Sequence, residues 1–190
     1  MKSMPEMKIF SPSDAMSSMM SAEESYKSSG PAYVRLDKGK FEKTYTEKDN
    51  FSTGIKVLTN LSENNIISTG FMTTRALEVS KLLSKKGIDV GVVDIGVIKP
   101  INENEIVDIA KISESIFVLE EHSVVGGLST SISDVLLDNN VSVKFKRFGL
   151  PDKQIFEYGD REWLLGKYGL SASKISDSIY KKLASERKIV

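Results

Sequence analysis

From residue 51 onward, short apolar runs alternate with segments whose apolar residues recur at helical spacing. The runs predict strands, and they lie at residues 51–58, 65–70, 90–95, 115–119 and 141–148. Strands that alternate with helices favour a mainly parallel sheet joined by right-handed crossovers. We therefore predict an α/β fold with three α/β/α layers and a mainly parallel sheet of about five strands.

Capping residues set the expected helix boundaries. Thr73 or Thr74 is a candidate N-cap for the helix that runs to Lys85-Lys86-Gly87, and Asn102 for the helix at 103–112. Further helices are predicted at 128–137, from Asp160 through Trp163, and at 172–184. Gly54 is expected at a turn or bulge within the run at 51–58.

The first 36 residues contain a smaller unit. They predict a strand at 8–10, a helix capped by Ser13 or Asp14 that ends near Lys27, and a strand at 32–36. One strand–helix–strand unit cannot bury both faces of a sheet. We therefore interpret residues 1–39 as the tail of a larger domain, residues 40–50, rich in Lys, Glu and Thr, as a linker, and residues 51–190 as a domain of their own.

Composition excludes several classes of function. The chain has 26 basic and 26 acidic residues, so it has no net charge to attract nucleic acid or an anionic membrane. It has no cysteine and one histidine, which excludes disulfides, cysteine zinc sites and multi-histidine metal sites. No stretch approaches the roughly 20 apolar residues of a membrane span. We expect a cytoplasmic protein with no metal site, no membrane contact and no nucleic-acid partner.

The connection at residues 117–128 carries the only histidine, a pair of carboxylates and two glycines. His122 beside Glu120 and Glu121 would suit a general base with a raised pKa. Alternatively, the carboxylates bind backbone N–H groups of the following helix and His122 fixes the turn or a subunit contact. Gly126-Gly127 would suit either an anion at the helix N-terminus or close packing. We favour the packing interpretations and assign no catalytic residue.

Six short runs appear in an order typical of one enzyme family. They lie at residues 4–14, 30–36, 66–70, 93–101, 120–127 and 149–152. In this order the chain resembles the C-terminal part of a thiamine-diphosphate-dependent transketolase, including the split, two-subunit kind. The resemblance identifies residues 1–39 with the end of the pyrimidine-binding domain and residues 51–190 with the transketolase C-terminal domain.

The resemblance implies a transferase that moves a two-carbon ketol unit between sugar phosphates, as in pentose phosphate metabolism, using thiamine diphosphate and a divalent metal such as Mg²⁺. The segments that bind this cofactor in the family are absent here, so the resemblance implies a fragment with a structural and dimerisation role, inactive and free of cofactor when alone. The implied partners are the missing cofactor-binding domains, on the same chain or a separate subunit, and a second copy in a homodimer. The implied domain or dimer interface holds Glu120, Glu121, His122, Gly126 and Gly127.

The resemblance also suggests substrate contacts. A basic residue after the strand at 32–36 binds the sugar phosphate in the family, which points to Arg35 and to Lys38, where an Arg is usual. Gly96 stands where deoxyxylulose phosphate synthases and many 2-oxoacid dehydrogenase beta subunits have an Arg, which favours a transketolase. Those two enzymes and a stand-alone regulatory module that binds an anion remain the alternatives.

Overall fold

The computed structural model describes residues 1–39 and 41–187, which fold into two sheets flanked by helices. The strands are β1 (Lys8–Phe10), β2 (Ala32–Val34), β3 (Ile55–Val57), β4 (Asn64–Ser68), β5 (Gly91–Ile95), β6 (Val97–Lys99), β7 (Ser115–Ser123) and β8 (Lys144–Leu150). The helices are α1 (Ala15–Lys27), α2 (Phe71–Ser84), α3 (Glu103–Lys111), α4 (Leu128–Asp138), α5 (Arg161–Lys167) and α6 (Ala172–Arg187). None of the helices in this part of the chain is long and apolar enough to cross a membrane.

The larger sheet has five strands in the order β3-β5-β4-β7-β8. Strands β5, β4, β7 and β8 are parallel, and β3 is an antiparallel edge strand on β5. Neighbouring residues of one strand face opposite layers. Ile66 packs with α2 and α6 on one face, while Ile67 packs with α3 and α4 on the other. The predicted three-layer architecture is confirmed.

The smaller sheet has the order β2-β1-β6 and ties the N-terminal residues to the rest of the chain. Strands β1 and β2 are parallel, whereas β6 pairs antiparallel with β1. Because β6 follows β5 directly through Gly96, the two sheets share one continuous stretch of chain. The domain boundaries at residues 39 and 50 stay predictions.

The predicted cap of α2 was wrong. The helix begins at Phe71, and its N-cap is Gly70 at φ +56. The Thr73 hydroxyl donates instead to the carboxylate of Asp94 on β5. Asp94 is fully buried, and a buried carboxylate is costly unless it accepts hydrogen bonds. Asn102, Asp160 and Asp14 do cap their helices.

Segment 41–50 packs against the rest of the protein and is hydrogen-bonded to it. Tyr45 is only 3% exposed, and its ring packs edge-on against Phe51 at 5.6 Å between centroids. The backbone N–H groups of Thr44 and Tyr45 donate to the carboxylate of Asp14 at 2.7 and 2.8 Å. Segment 41–50, predicted as a linker, therefore makes buried contacts at Tyr45.

Candidate functional site

Two parallel strands from each sheet, β1 and β2 from the smaller and β4 and β7 from the larger, end around one cleft of about 610 Å³. Its polar lining includes Ser11 after β1, Arg35 after β2, Thr69 after β4 and His122 near the end of β7. Within the larger sheet, β4 leads into α2 on one face, while its neighbour β7 leads into α4 on the other. Ligands of open α/β sheets bind where connections diverge in this way.

Glu120 explains the glycines at the start of α4. Its side chain is buried and accepts hydrogen bonds from the backbone N–H of Leu128 at 2.7 Å and of Ser129 at 3.1 Å. A Cβ on Gly127 would lie 1.8 Å from Glu120 Oε2, so only glycine leaves room for this carboxylate. Glu120 therefore occupies the positive end of α4, where an external anion at Gly126-Gly127 would bind.

A closed ring of ion pairs lies beside the cleft. Arg35 Nη2 is 3.1 Å from Asp37 Oδ1 and 3.1 Å from Glu121 Oε2. Arg161 contacts the same two carboxylates, with Nη2 2.9 Å from Asp37 Oδ1 and Nε 2.9 Å from Glu121 Oε1. The carboxylates are only 9% and 16% exposed. This ion-pair ring joins the end of β2, the end of β7 and the start of α5.

Two members of the ring, Asp37 and Arg161, were not predicted from the sequence. Arg161 lies 124 residues from Asp37 in the chain, and no local pattern connects them. The guanidinium of Arg161 also lies over the ring of Phe71, 4.5 Å from its centroid, which fixes its plane. The only local signal was that Arg161 follows the N-cap Asp160, which places it in the first turn of α5.

His122 keeps contact with solvent at the cleft. The surrounding protein, followed by the positive charge of Arg35, lowers its pKa, although Glu120, Glu121 and Asp37 act in the opposite direction. The general-base alternative came with an expected raised pKa, whereas these surroundings lower the pKa of His122 and favour the neutral imidazole.

The two predicted substrate contacts differ in their surroundings. Arg35 lines the cleft, whereas Lys38 is exposed on the chain beyond the ion-pair ring. Residues 1–39 and 41–187 contain no group of three or more His, Cys, Asp or Glu side chains placed to hold a metal ion.

A second polar cluster surrounds Asp94 in the interior. Its carboxylate accepts hydrogen bonds from Ser13 Oγ at 3.0 Å, from Tyr45 Oη at 2.9 Å and from the Thr73 hydroxyl. Burial raises the pKa of Asp94 to about 6, against the opposing effect of these three donors. The donors come from the N-terminal unit, segment 41–50 and α2, so Asp94 links three parts of the chain.

Comparison with known proteins gives a consistent result. Residues 55–175 match the family model of the transketolase C-terminal domain. A transketolase family protein of Sinorhizobium fredii is 35% identical over 92% of this chain and 51% of its own length. The transketolase C-terminal section of Methanocaldococcus jannaschii is 30% identical over 98% of this chain and 58% of its own length.

Solved structures extend the likeness to the N-terminal residues. A split-gene transketolase, described as an inactive β4 tetramer, superposes with a TM-score of 0.87 at 31% identity, over 97% of this chain and 60% of that one. A Pichia stipitis transketolase has a TM-score of 0.77 at 17% identity over 96% of this chain and 26% of its own, which shows the shared fold. The chain thus spans about half the length of the curated relatives named above.

Proposed function

The chain belongs to the transketolase family, and on that basis we propose that it forms the C-terminal part of a cytoplasmic thiamine-diphosphate-dependent transferase. The complete enzyme moves a two-carbon ketol unit between sugar phosphates. The observation that carries this proposal is the likeness to a split-gene transketolase over nearly the whole chain, including the N-terminal unit that precedes the matched domain.

The edge of the smaller sheet favours the proposal that a partner carries the rest of the enzyme. Strand β2 pairs with β1 on one side and lies at the edge of its sheet. Tyr33 on β2 is 38% exposed, and Met19 and Tyr26 on the neighbouring α1 are 67% and 91% exposed. An edge strand flanked by exposed large apolar side chains is typical of a sheet that continues into another segment.

Two features of the residues that the structure describes support a cofactor site outside this chain. The described part offers no cluster of metal ligands, and the start of α4 is filled by Glu120. We therefore assign thiamine diphosphate and its divalent metal to the partner part. This chain contributes the C-terminal domain and, through Arg35 and Lys38, two cations for the phosphate of the sugar. The ion-pair ring holds the Arg35 guanidinium in place through its Nη2 atom, so a phosphate at Arg35 would meet a cation that is already ordered.

The end of β7 and the turn that follows it are our candidate interface with the partner part or with a second copy in a homodimer. His122 and Gly126 are exposed there, and Val125 is 62% exposed. Glu121 fixes the turn from the side through its ion pairs, and Glu120 with Gly127 fixes it from within. The turn therefore presents a rigid surface.

Reconstitution tests the proposal. The chain alone should neither bind thiamine diphosphate with Mg²⁺ in a calorimetric titration nor transfer a ketol unit, whereas activity should appear when the cofactor-binding part is added. Micromolar cofactor affinity of the chain alone, or no activity after a stable complex has formed, would contradict it.

In that complex, Lys38→Met should raise KM for a phosphorylated sugar and leave KM for its unphosphorylated analogue unchanged.

A deoxyxylulose phosphate synthase is the second candidate. The synthase of Caldanaerobacter subterraneus is 29% identical over 98% of this chain and 30% of its own length. Gly96, which favoured transketolase in the sequence, has a packing reason, because a Cβ there would lie 2.6 Å from the ring of Phe51. Pyruvate should replace a ketose phosphate as the two-carbon donor if the complete enzyme is a synthase.

A further inference from the structure

Most residues of segment 41–50, which we call the strap, are exposed. The strap contains no helix or strand, and Tyr45 is the one buried residue within it. Its backbone is hydrogen-bonded to the N-terminal unit, because the N–H groups of Thr44 and Tyr45 both donate to the Asp14 carboxylate. A segment held by so few buried groups can open locally while the rest of the fold stays intact.

The Tyr45 hydroxyl contacts a carboxylate that has no cation partner in the described part of the chain. It donates to Asp94 at 2.9 Å, and Asp94 is fully buried on β5. Lys56 lies opposite Asp94 in the sheet, yet its ammonium donates to Asp49 at 2.6 Å and to the Thr44 carbonyl at 2.7 Å. Burial without a cation favours the protonated, neutral carboxyl.

The surroundings of Asp94 place its titration in weakly acidic solution. Burial is the largest effect and raises the pKa of Asp94. Hydrogen bonds from three hydroxyl groups lower it and the negative charge of Asp14 raises it, which leaves the pKa at about 6. Those hydroxyl groups belong to Thr73, Tyr45 and Ser13.

Two further titratable groups of the strap lie near Asp94, and both keep their charge between pH 4 and pH 7. The pKa of Asp49 is held at about 2, chiefly by its hydrogen bond from Lys56. Tyr45 stays neutral, because burial and then the charge of Asp94 raise its pKa. Helix α2 and strand β4 contribute hydroxyl groups to the cluster, from Thr73 and Ser68.

From this geometry we propose that the strap is a pH-dependent closure, shut while the Asp94 carboxyl is protonated and opening locally once that carboxyl ionises. Opening brings water to the charge in place of the Tyr45 hydroxyl. It also breaks the hydrogen bonds from the strap to Ser13 and Asp14, so the N-terminal unit is held less firmly to β5, while β6 stays paired with β1. The closure is independent of the reaction that the complete enzyme performs.

The pH range of the closure follows from two carboxylates. Opening returns the pKa of Asp94 from about 6 toward the ordinary 3.8, so opening becomes easier as the pH rises from 3.8 to 6 and little easier above that range. Asp14 acts in the opposite direction. Burial raises its pKa, but hydrogen bonds from Ser17, Tyr45 and Thr44 outweigh burial and lower it, so its contribution to closure is lost as the pH falls below 3.8. Between pH 4 and pH 7 the closure therefore reports on Asp94.

Hydrogen exchange of the Thr44 and Tyr45 amides, followed by NMR on the full chain, measures the ratio of open to closed strap. After correction for the pH dependence of intrinsic exchange, we expect this ratio to rise about fifty-fold between pH 4 and pH 7, most of it below pH 6.5. The Ile66 amide on β4 reports global unfolding. The strap amides should exchange at least tenfold faster than Ile66 and respond less to low concentrations of urea, because local opening exposes little surface.

Matched variants identify the group responsible. Asp94→Asn cannot ionise and should make the ratio independent of pH. Asp49→Asn is the control, because Asp49 is ionised throughout this range, so any loosening should be the same at every pH and the fifty-fold rise should remain.

A third variant keeps the test decisive if Asp94→Asn fails to fold. Ser13→Ala removes one donor that favours the ionised form, so it should raise the pKa of Asp94 and move the upper end of the pH profile to higher pH. The proposal is overturned if the strap amides exchange only together with Ile66. It is also overturned if the ratio does not change with pH, if folded Asp94→Asn keeps the change, or if the Ser13→Ala profile does not move.

Discussion

At the scale of single residues, two glycines leave room for a particular neighbour. Gly127 makes space for the Glu120 carboxylate that caps α4, and Gly96 makes space for the ring of Phe51. Neither Gly96 nor Gly127 adopts a positive φ. Glycine is therefore required at these two positions because of packing and not because of backbone conformation.

Gly127→Ala should therefore destabilise the protein by roughly 2–4 kcal/mol, because its methyl group would displace a buried carboxylate from two backbone donors. Gly166→Ala is the control: Gly166 lies in α5 and a Cβ there meets nothing within 4 Å, so this change should be neutral or slightly stabilising. Chemical denaturation of both variants measures the difference. Equal stabilities for the two variants would contradict the proposed role of Gly127.

Asp94 makes stability depend on pH. Its pKa rises from the ordinary 3.8 to about 6 on folding, so the folded chain holds this proton over a pH range in which the unfolded chain has lost it. The stabilising contribution of the protonated carboxyl is complete below pH 3.8 and is lost as the pH rises toward 6.

Asp94→Asn should remove this dependence. The free energy of unfolding of the unchanged chain minus that of the variant should fall by roughly 2–3 kcal/mol between pH 4 and pH 6.5. Taking the difference cancels the titration of groups that do not interact with Asp94. Urea titrations at a series of pH values measure it, and a constant difference would show that Asp94 titrates normally.

At the scale of elements, segment 41–50 acts as a strap across both sheets. Tyr45 holds it through its hydroxyl on Asp94 and its ring on Phe51, while the Lys56 ammonium lies 4.7 Å from the Tyr45 ring centroid and pairs with Asp49 at 2.6 Å. One tyrosine thus connects the strap to Asp94 on β5, to Phe51 and to Lys56 on β3.

Tyr45→Phe should loosen the strap, because the ring contacts remain but the donor to a buried carboxylate is lost, at a cost of about 1–3 kcal/mol. Limited trypsin digestion should then cut faster after Lys43 and Lys48. Tyr26→Phe, at a residue 91% exposed, should leave both stability and digestion rate unchanged. If Tyr45→Phe matched that control, the hydrogen bond to Asp94 would have no role in holding the strap.

The sequence predicted the layers well because buried parallel strands are continuous apolar runs and helix faces repeat with the helical period. It predicted Asn102 as a cap and Asp14 as one of two candidate caps because capping uses neighbours in the chain. It failed at Thr73, Tyr45 and Arg161, whose roles depend on residues distant in the chain. Arg35 was identified through family resemblance, and its ring of partners through the fold alone.

At the scale of the whole molecule, the two sheets are joined in three ways. Strand β6 pairs with β1. Asp94 on β5 accepts hydrogen bonds from Ser13 of the N-terminal unit and from Thr73 on α2. The ion-pair ring connects the end of β2 with β7 and α5. Each connection crosses between the N-terminal unit and the larger sheet.

We therefore expect residues 1–187 to unfold in one cooperative transition. Calorimetry should give equal van't Hoff and calorimetric enthalpies, and hydrogen exchange should protect Ile9 and Phe10 within about 1 kcal/mol of Ile66. Two separate transitions, or early exchange of β1 alone, would show that the N-terminal unit folds on its own.

The close approach of Phe51 to Gly96 has an evolutionary consequence. Any relative that places a long cation at position 96 must shorten or reorient the aromatic side chain at position 51, because the two volumes overlap. Substitutions at these positions should therefore occur as a correlated pair across the family, and a double variant with Phe51→Ala should accept Gly96→Arg far better than the single replacement does.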